Sequence, residues 1–305
     1  MHRLAVLVVT LALTVPAWIG TADAAPSILS RNDLVAYRGL GTWVDVYEYV
    51  PALQGKGTKP PVTPSAIDNM KRRGVKTLYL QAAQDDARIP GATVKPKLLG
   101  QFLERAHDAD IRVVAWYLPH FDDINADMRH IRGLLDFHSD GERFDGVALD
   151  IEFRGDLADA TARNAALVDL SQRVRAVARN RPIGAIVLEP VLLEVVNANF
   201  WPDFPWRRIA DLYDVWLPMA YWTNRNTDSG YRDAFRYTDE NIRRLRANIG
   251  KADAPVHVIG GIGDKATAQD YDGFVRAARA QKAIGWSAYN YSVTARTAWS
   301  RLRSG

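Results

Sequence analysis

From residue 25 onward the chain alternates between two hydrophobic patterns. Short runs rich in β-branched and aromatic residues recur, each followed by a longer stretch with apolar positions at helical spacing. The short runs predict strands at Gly39–Val46, Thr77–Gln81, Arg112–Tyr117, Gly146–Ile151, Gly184–Leu188, Val215–Ala220, Val256–Ile259 and Ala283–Ala288. The longer stretches predict helices at Ser65–Arg73, Pro96–Ala109, Ala162–Arg179, Asp239–Ala247, Ala268–Ala280 and Thr294–Leu302. In Pro96–Ala109, for example, Leu98, Leu99, Phe102, Leu103 and Ala106 share one face. Strand followed by helix, repeated around eight strands, predicts an α/β protein whose residues 25–305 form a single (β/α)8 TIM barrel. The competing architecture is an open sheet of flavodoxin-like or polysaccharide-deacetylase-like type, which commonly needs fewer strands. The pattern is weakest at the seventh strand and after the fifth, where Pro202 and Pro205 interrupt it.

The first residues change the setting. Met1-His2-Arg3 is basic, Leu4 to Gly20 is apolar, and Ala22-Asp23-Ala24 is a small-x-small site. That order predicts a signal peptide over residues 1–24, with an uncleaved anchor as the alternative. Pro16 and the short apolar run disfavour the anchor. The mature chain is then expected to be secreted or associated with the cell envelope, with no stable membrane insertion. The absence of cysteine excludes disulfides, thiolate metal sites and a cysteine nucleophile. A net charge of +4, with the basic residues scattered, gives no basis for a nucleic-acid partner. His120-Phe121-Asp122-Asp123 has metal-binding residue types without ion-site spacing, so neither a metal nor another cofactor is expected. Gly260-Gly261-Ile262-Gly263 reads as a tight turn that lets a substrate or a neighbouring loop approach closely.

Barrel chemistry sits at the C-terminal ends of the strands. The polar residues expected there are mostly acids and amides: Asp45, Glu48, Gln81, Gln84, Asp122, Asp123, Asp150, Glu152, Glu189, Asp264 and Asn290, with His120, Tyr221 and Asn224. In Asp145-Gly146-Val147-Ala148-Leu149-Asp150-Ile151-Glu152, strand alternation puts Ala148, Asp150 and Glu152 on one face and Leu149 and Ile151 on the other. Two carboxylates so placed lie roughly 6–7 Å apart at the backbone. Mutual repulsion and burial should raise the pKa of one of them, as a general acid requires. The alternative is a pair of acids that meet buried arginines and merely close the barrel top. A second carboxylate across the mouth would come from Glu189, Asp264 or Asp45. A gap of about 5–5.5 Å predicts retention and about 6.5–9.5 Å inversion. Aromatic residues gather near the same strand ends, among them Tyr47, Trp43, Trp116, Trp222, Trp286 and Tyr289. Their flat apolar faces beside amides such as Asn290 suit sugar rings. Trp43, Trp116, Trp222, Trp286 and Asn290 are therefore candidate substrate contacts, with core filling as the competing role.

Asp145-Gly146-x-x-x-Asp150-x-Glu152 resembles the strand-four signature of the chitinase-like family 18 glycoside hydrolases, Asp-Gly-x-Asp-x-Asp-x-Glu. Met219-Ala220-Tyr221 resembles that family's Met-x-Tyr, and Gly285-Trp286 its floor tryptophan. The resemblance spans strand four to the C-terminus. It implies that Glu152 protonates the glycosidic oxygen, that Asp150 supports a substrate N-acetyl carbonyl acting as nucleophile, and that Tyr221 holds the reacting group. The chain departs from the pattern at Ala148, where the family has an inner Asp, and at Trp222, where an Asp usually follows the tyrosine. Asp-x-Glu is also similar to the lysozyme-like family 25 hydrolases, whose strand-one acid Asp45 could supply. The combined expectation is a secreted glycoside hydrolase acting on a polysaccharide or cell-envelope glycan. A catalytically silent, lectin-like barrel is the alternative.

Overall fold

The computed structural model describes residues 31–153 and 159–304, so the expected leader at 1–24 lies outside the described residues. Eight strands follow in chain order: β1 (Gly39–Val44), β2 (Thr77–Gln81), β3 (Arg112–Tyr117), β4 (Gly146–Ile151), β5 (Ile183–Val187), β6 (Val215–Pro218), β7 (His257–Ile262) and β8 (Gly285–Tyr289). The helices are α1 (Val46–Tyr49), α2 (Ala66–Arg72), α3 (Pro96–Asp108), α4 (Ile124–Asp136), α5 (Ala160–Ala178), α6 (Trp206–Ile209), α7 (Ala234–Ile249), α8 (Ala268–Ala280) and α9 (Arg296–Arg303). Pairing is parallel throughout, in the order β6-β5-β4-β3-β2-β1-β8-β7. β6 meets β7 at two bridges, Trp216–Val256 and Met219–Ile259, which leaves the ring nearly closed. The expected (β/α)8 barrel is the observed fold. Among the described residues no helix is long and apolar enough to cross a membrane.

Two elements differ from the sequence expectation. β1 stops at Val44 because Asp45 caps α1, its side chain accepting from the Tyr47 N–H while Glu48 reaches back to the Asp45 N–H. Helix α4 was not among the expected helices, although Met128, Ile131, Leu134 and Leu135 lie on its buried face beside Asp127 and His130. Asp127 there accepts from the Tyr117 hydroxyl and from the N–H groups of His120 and Phe121, which fixes the loop after β3.

The N-terminal end of the barrel is plugged by Tyr37, from the 3-10 segment Arg31–Tyr37. Its hydroxyl donates to the Val147 carbonyl at 2.9 Å. A side chain at Gly146 would put Cβ 2.7 Å from that hydroxyl, so the glycine of the Asp-Gly pair leaves room for the plug. Asp145 stands at the same end, where it accepts from His107, the Val113 N–H and Arg112. Higher in the interior a chain of hydrogen bonds crosses the barrel. Trp43 Nε1 donates to Ser287 Oγ at 2.8 Å, and Ser287 meets His257 Nε2 at 3.0 Å. His257 Nδ1 meets the Tyr37 carbonyl at 2.8 Å. A carbonyl can only accept, which places the His257 proton on Nδ1 and leaves Nε2 to accept from Ser287. Burial pushes the His257 pKa down to about 4, so the imidazole stays neutral.

Candidate active site

Asp150 near the end of β4 and Glu152 just beyond it share the inner face and line a cavity of about 250 Å³ at the C-terminal mouth. Asp45, Gln81, Gln84 and Tyr221 add polar groups to its wall. Trp43, Trp116, Met219 and Tyr289 add apolar ones. Among the described residues no lysine, arginine or histidine lines this cavity. Beneath the acids the interior is aromatic. Trp43 stacks on Tyr79 with ring centroids 4.3 Å apart and meets Trp116 edge-on at 6.0 Å. Ala148 is fully buried and pairs in register with Trp116. Where the family 18 pattern has an inner acid, this barrel has a methyl group above an apolar floor.

That floor sets the electrostatics. Asp150 is 8% exposed, and its Oδ1 is buried without a hydrogen-bond partner among the described residues. Burial, and then the Glu152 charge, push the Asp150 carboxyl well above its usual range. Burial raises Glu152 as well, although it is only partly enclosed. Two acids that favour the protonated state, one beside the other, can keep a proton available near neutrality. The same arrangement works against folding. Below about pH 3.8 Asp150 is protonated in both folded and unfolded chains. As pH rises past that value the unfolded chain ionises freely while the native one resists, so native stability falls. An Asp150→Asn variant is therefore expected to melt a few degrees above wild type at pH 7, with the gap closing near pH 3. Thermal unfolding at both pH values checks this, and a variant that melts lower at pH 7 contradicts it.

Tyr221 leaves β6 into the cavity and lies 6.1 Å from Tyr289, centroid to centroid. Burial raises its pKa first, followed by Tyr289 and the Glu152 and Asp150 charges, so its hydroxyl remains a donor. Asp45 stands on the strand-one side of the mouth. Its Oδ2 accepts from the Tyr289 hydroxyl at 3.0 Å and from Asn290 Nδ2 at 3.3 Å. Glu48 ties this corner together by accepting from the Asp45 and Ser292 N–H groups. Burial pushes Glu48 up to about 7, partly offset by its bonds to Ser292.

Several expected site residues stand elsewhere. Trp286 points to the outer face of β8, where its Nε1 donates to the Leu302 carbonyl of α9. Ser287 and Tyr289 are the inward residues of that strand, and Tyr289 occupies the place expected of Trp286. Trp222 is wholly buried and packs on Phe274 and Tyr271 of α8, because the chain turns outward after Tyr221. Gly261 gives this indole room: a Cβ there would lie 2.9 Å from the ring. Glu189 is 2% exposed and does not line the cavity. It accepts from Arg225 at 3.1 Å and from the Tyr237 hydroxyl at 2.9 Å, a buried ion pair rather than a second carboxylate of the mouth. Asp264 is exposed and outside the cavity. Asn290 stands behind Asp45 and orients it. Trp43, Trp116 and Asp45 do line the cavity with the strand-four acids and Tyr221. Sequence reasoning passed over Tyr289 as a site residue, although its place two positions beyond Ser287 was a usable signal.

A (β/α)8 barrel with paired acids closing its fourth strand is the architecture the structure defines. The chain is similar to a family GH18 chitinase from Cycas revoluta solved with allosamidin, at 12% identity over 87% of this chain and 98% of that one, with a TM-score of 0.61. It is also similar to an endo-1,4-β-D-mannanase from Thermotoga petrophila RKU-1, at 12% identity over 83% and 88%, with a TM-score of 0.59. A third is the spore cortex-lytic enzyme SleL of Bacillus megaterium, at 10% identity over 87% and 73%, with a TM-score of 0.56. No protein-family model matches the chain, and no curated protein does. The likeness at these identities is one of fold, and that fold is one that chitinase-like glycoside hydrolases share.

Proposed function

We propose that this protein is a secreted glycoside hydrolase cleaving a polysaccharide or cell-envelope glycan, with Glu152 as general acid. The observation that carries the reading is the pair Asp150 and Glu152, both biased toward protonation, in an aromatic-lined cavity whose described lining holds no basic residue. Glu152 gives its proton to the bridging oxygen as the bond to the sugar carbon breaks. Asp150 is the electrostatic partner that keeps Glu152 protonated, the Asp45 carboxylate stabilises positive charge developing on the ring, and the Tyr221 hydroxyl holds the reacting sugar. Water then adds to that carbon and returns a proton to Glu152. Asp45 is the cross-mouth carboxylate of this scheme, because it lines the cavity while Glu189 and Asp264 do not.

One observation favours a second reading. With Ala148 in place of an inner acid, Asp150 has no carboxylate beneath it to share a proton, which suits a catalytically silent carbohydrate-binding barrel. Incubation of the purified protein with chitin, mannan and peptidoglycan, reading new reducing ends across pH, separates the two. Turnover is expected, falling on the alkaline side as Glu152 loses its proton. Because burial raises that pKa, activity should persist above the ordinary glutamate value of 4.5. Glycan binding without release of reducing ends at any pH would support the silent barrel.

A further inference from the structure

Tyr47 and Phe153 are the aromatic side chains that stand exposed among the described residues, at 54% and 39%. Both stand on chain segments that contribute to the cavity wall. Tyr47 lines it just past β1, and Phe153 directly follows Glu152 past β4, three strands round the ring. Exposed rings normally cost solubility, and these two are held in place. Tyr47 is fixed within the capped turn of α1, its N–H bonded to Asp45 at 2.9 Å and its carbonyl to Gln54 at 2.7 Å. Phe153 lies against the His120 ring, with centroids 4.6 Å apart and planes at 32°. His120 in turn faces Asp85 at 3.8 Å. Asp85 borders a second cavity of about 310 Å³, and Gln84 lines both cavities. The trough thus continues through Gln84 into a second cavity, whose wall also holds Arg129 and His130.

We propose that Tyr47 and Phe153 are paired stacking platforms on separate rims, and that the site takes an internal stretch of an uncharged glycan chain rather than a chain end. This rests on the reading of the cavity as a glycan site. Stacking of a sugar's C–H face on each ring would hold the chain across the mouth, with the bond to be cleaved over Glu152. Among the described residues the cavity wall holds three acidic side chains and no cation to pair with a polyanionic chain, which favours neutral polymers.

The test is binding of chitin and mannan oligosaccharides, from disaccharide to octasaccharide, followed by calorimetry on Glu152→Gln protein so that no ligand is consumed. Affinity is expected to rise with length until a chain spans both rings and then level off. Adding Tyr47→Ala or Phe153→Ala should weaken binding of the longest oligomers by about 3- to 10-fold each, and binding of disaccharides by less. Val196→Ala, an exposed apolar residue outside the site, is the control and should change nothing. Affinity independent of length, or a length dependence that both alanine variants preserve, overturns the platforms. Length-dependent binding that both variants abolish, in a protein whose wild type releases no reducing ends, sustains the platforms and overturns the hydrolase. Failure to bind any glycan overturns both.

Discussion

Trp43→Ala is expected to lower stability by about 3–5 kcal/mol, the cost of truncating a large core aromatic. At about 2–4 °C per kcal/mol for a chain of this size, the melting temperature should fall by roughly 10 °C. Trp43 is 2% exposed and does three things at once. Its ring stacks on Tyr79, its edge meets Trp116, and its Nε1 donates to Ser287, which bonds His257. Alanine removes the stack and opens a void under Asp150 in a layer where Ala148 cannot fill it. Water entering that void would hydrate Asp150 and lower its pKa, so catalysis should weaken along with stability. Differential scanning calorimetry of wild type and variant checks the first effect. A shift below about 2 °C would show that Trp43 is not the keystone of the floor, since even surface changes can reach that size.

The eight strands were legible because barrel strands carry continuous apolar runs and helices carry a different period. The strand-four acids were legible because Leu149 and Ile151 are apolar on one side and Asp150 and Glu152 acidic on the other. Trp286 was misplaced by one position. In a strand a shift of one residue exchanges inside for outside, and what fixes the inside of β8 is Ser287 bonding to Trp43 and His257, residues far away in sequence. Alternation carries on past the end of β6, where Met219 and Tyr221 face the cavity, so Trp222 packs outward. Glu189 looked available until Arg225 and Tyr237, 36 and 48 residues further on, met it in the fold. Helix α4 carried a readable signal that was passed over, with Met128, Ile131, Leu134 and Leu135 at helical spacing. For Trp286 and Glu189 the local pattern was readable, and what was not readable was a polar partner supplied from a distant segment.

The largest functional effect is expected at Glu152. Glutamine keeps the shape and most hydrogen bonds of the side chain but cannot give up a proton to a leaving oxygen. Loss of a general acid costs about 10²–10⁴ in rate. Glu152 is only partly buried, so the melting temperature should change little, and glycan affinity should remain because the aromatic floor and Tyr221 are untouched. The decisive measurement is release of reducing ends by wild type and Glu152→Gln side by side, on the polysaccharide that wild type cleaves fastest. A drop of at least about 100-fold with binding retained is the predicted result. Equal release by both proteins would contradict it and move the chemistry away from strand four.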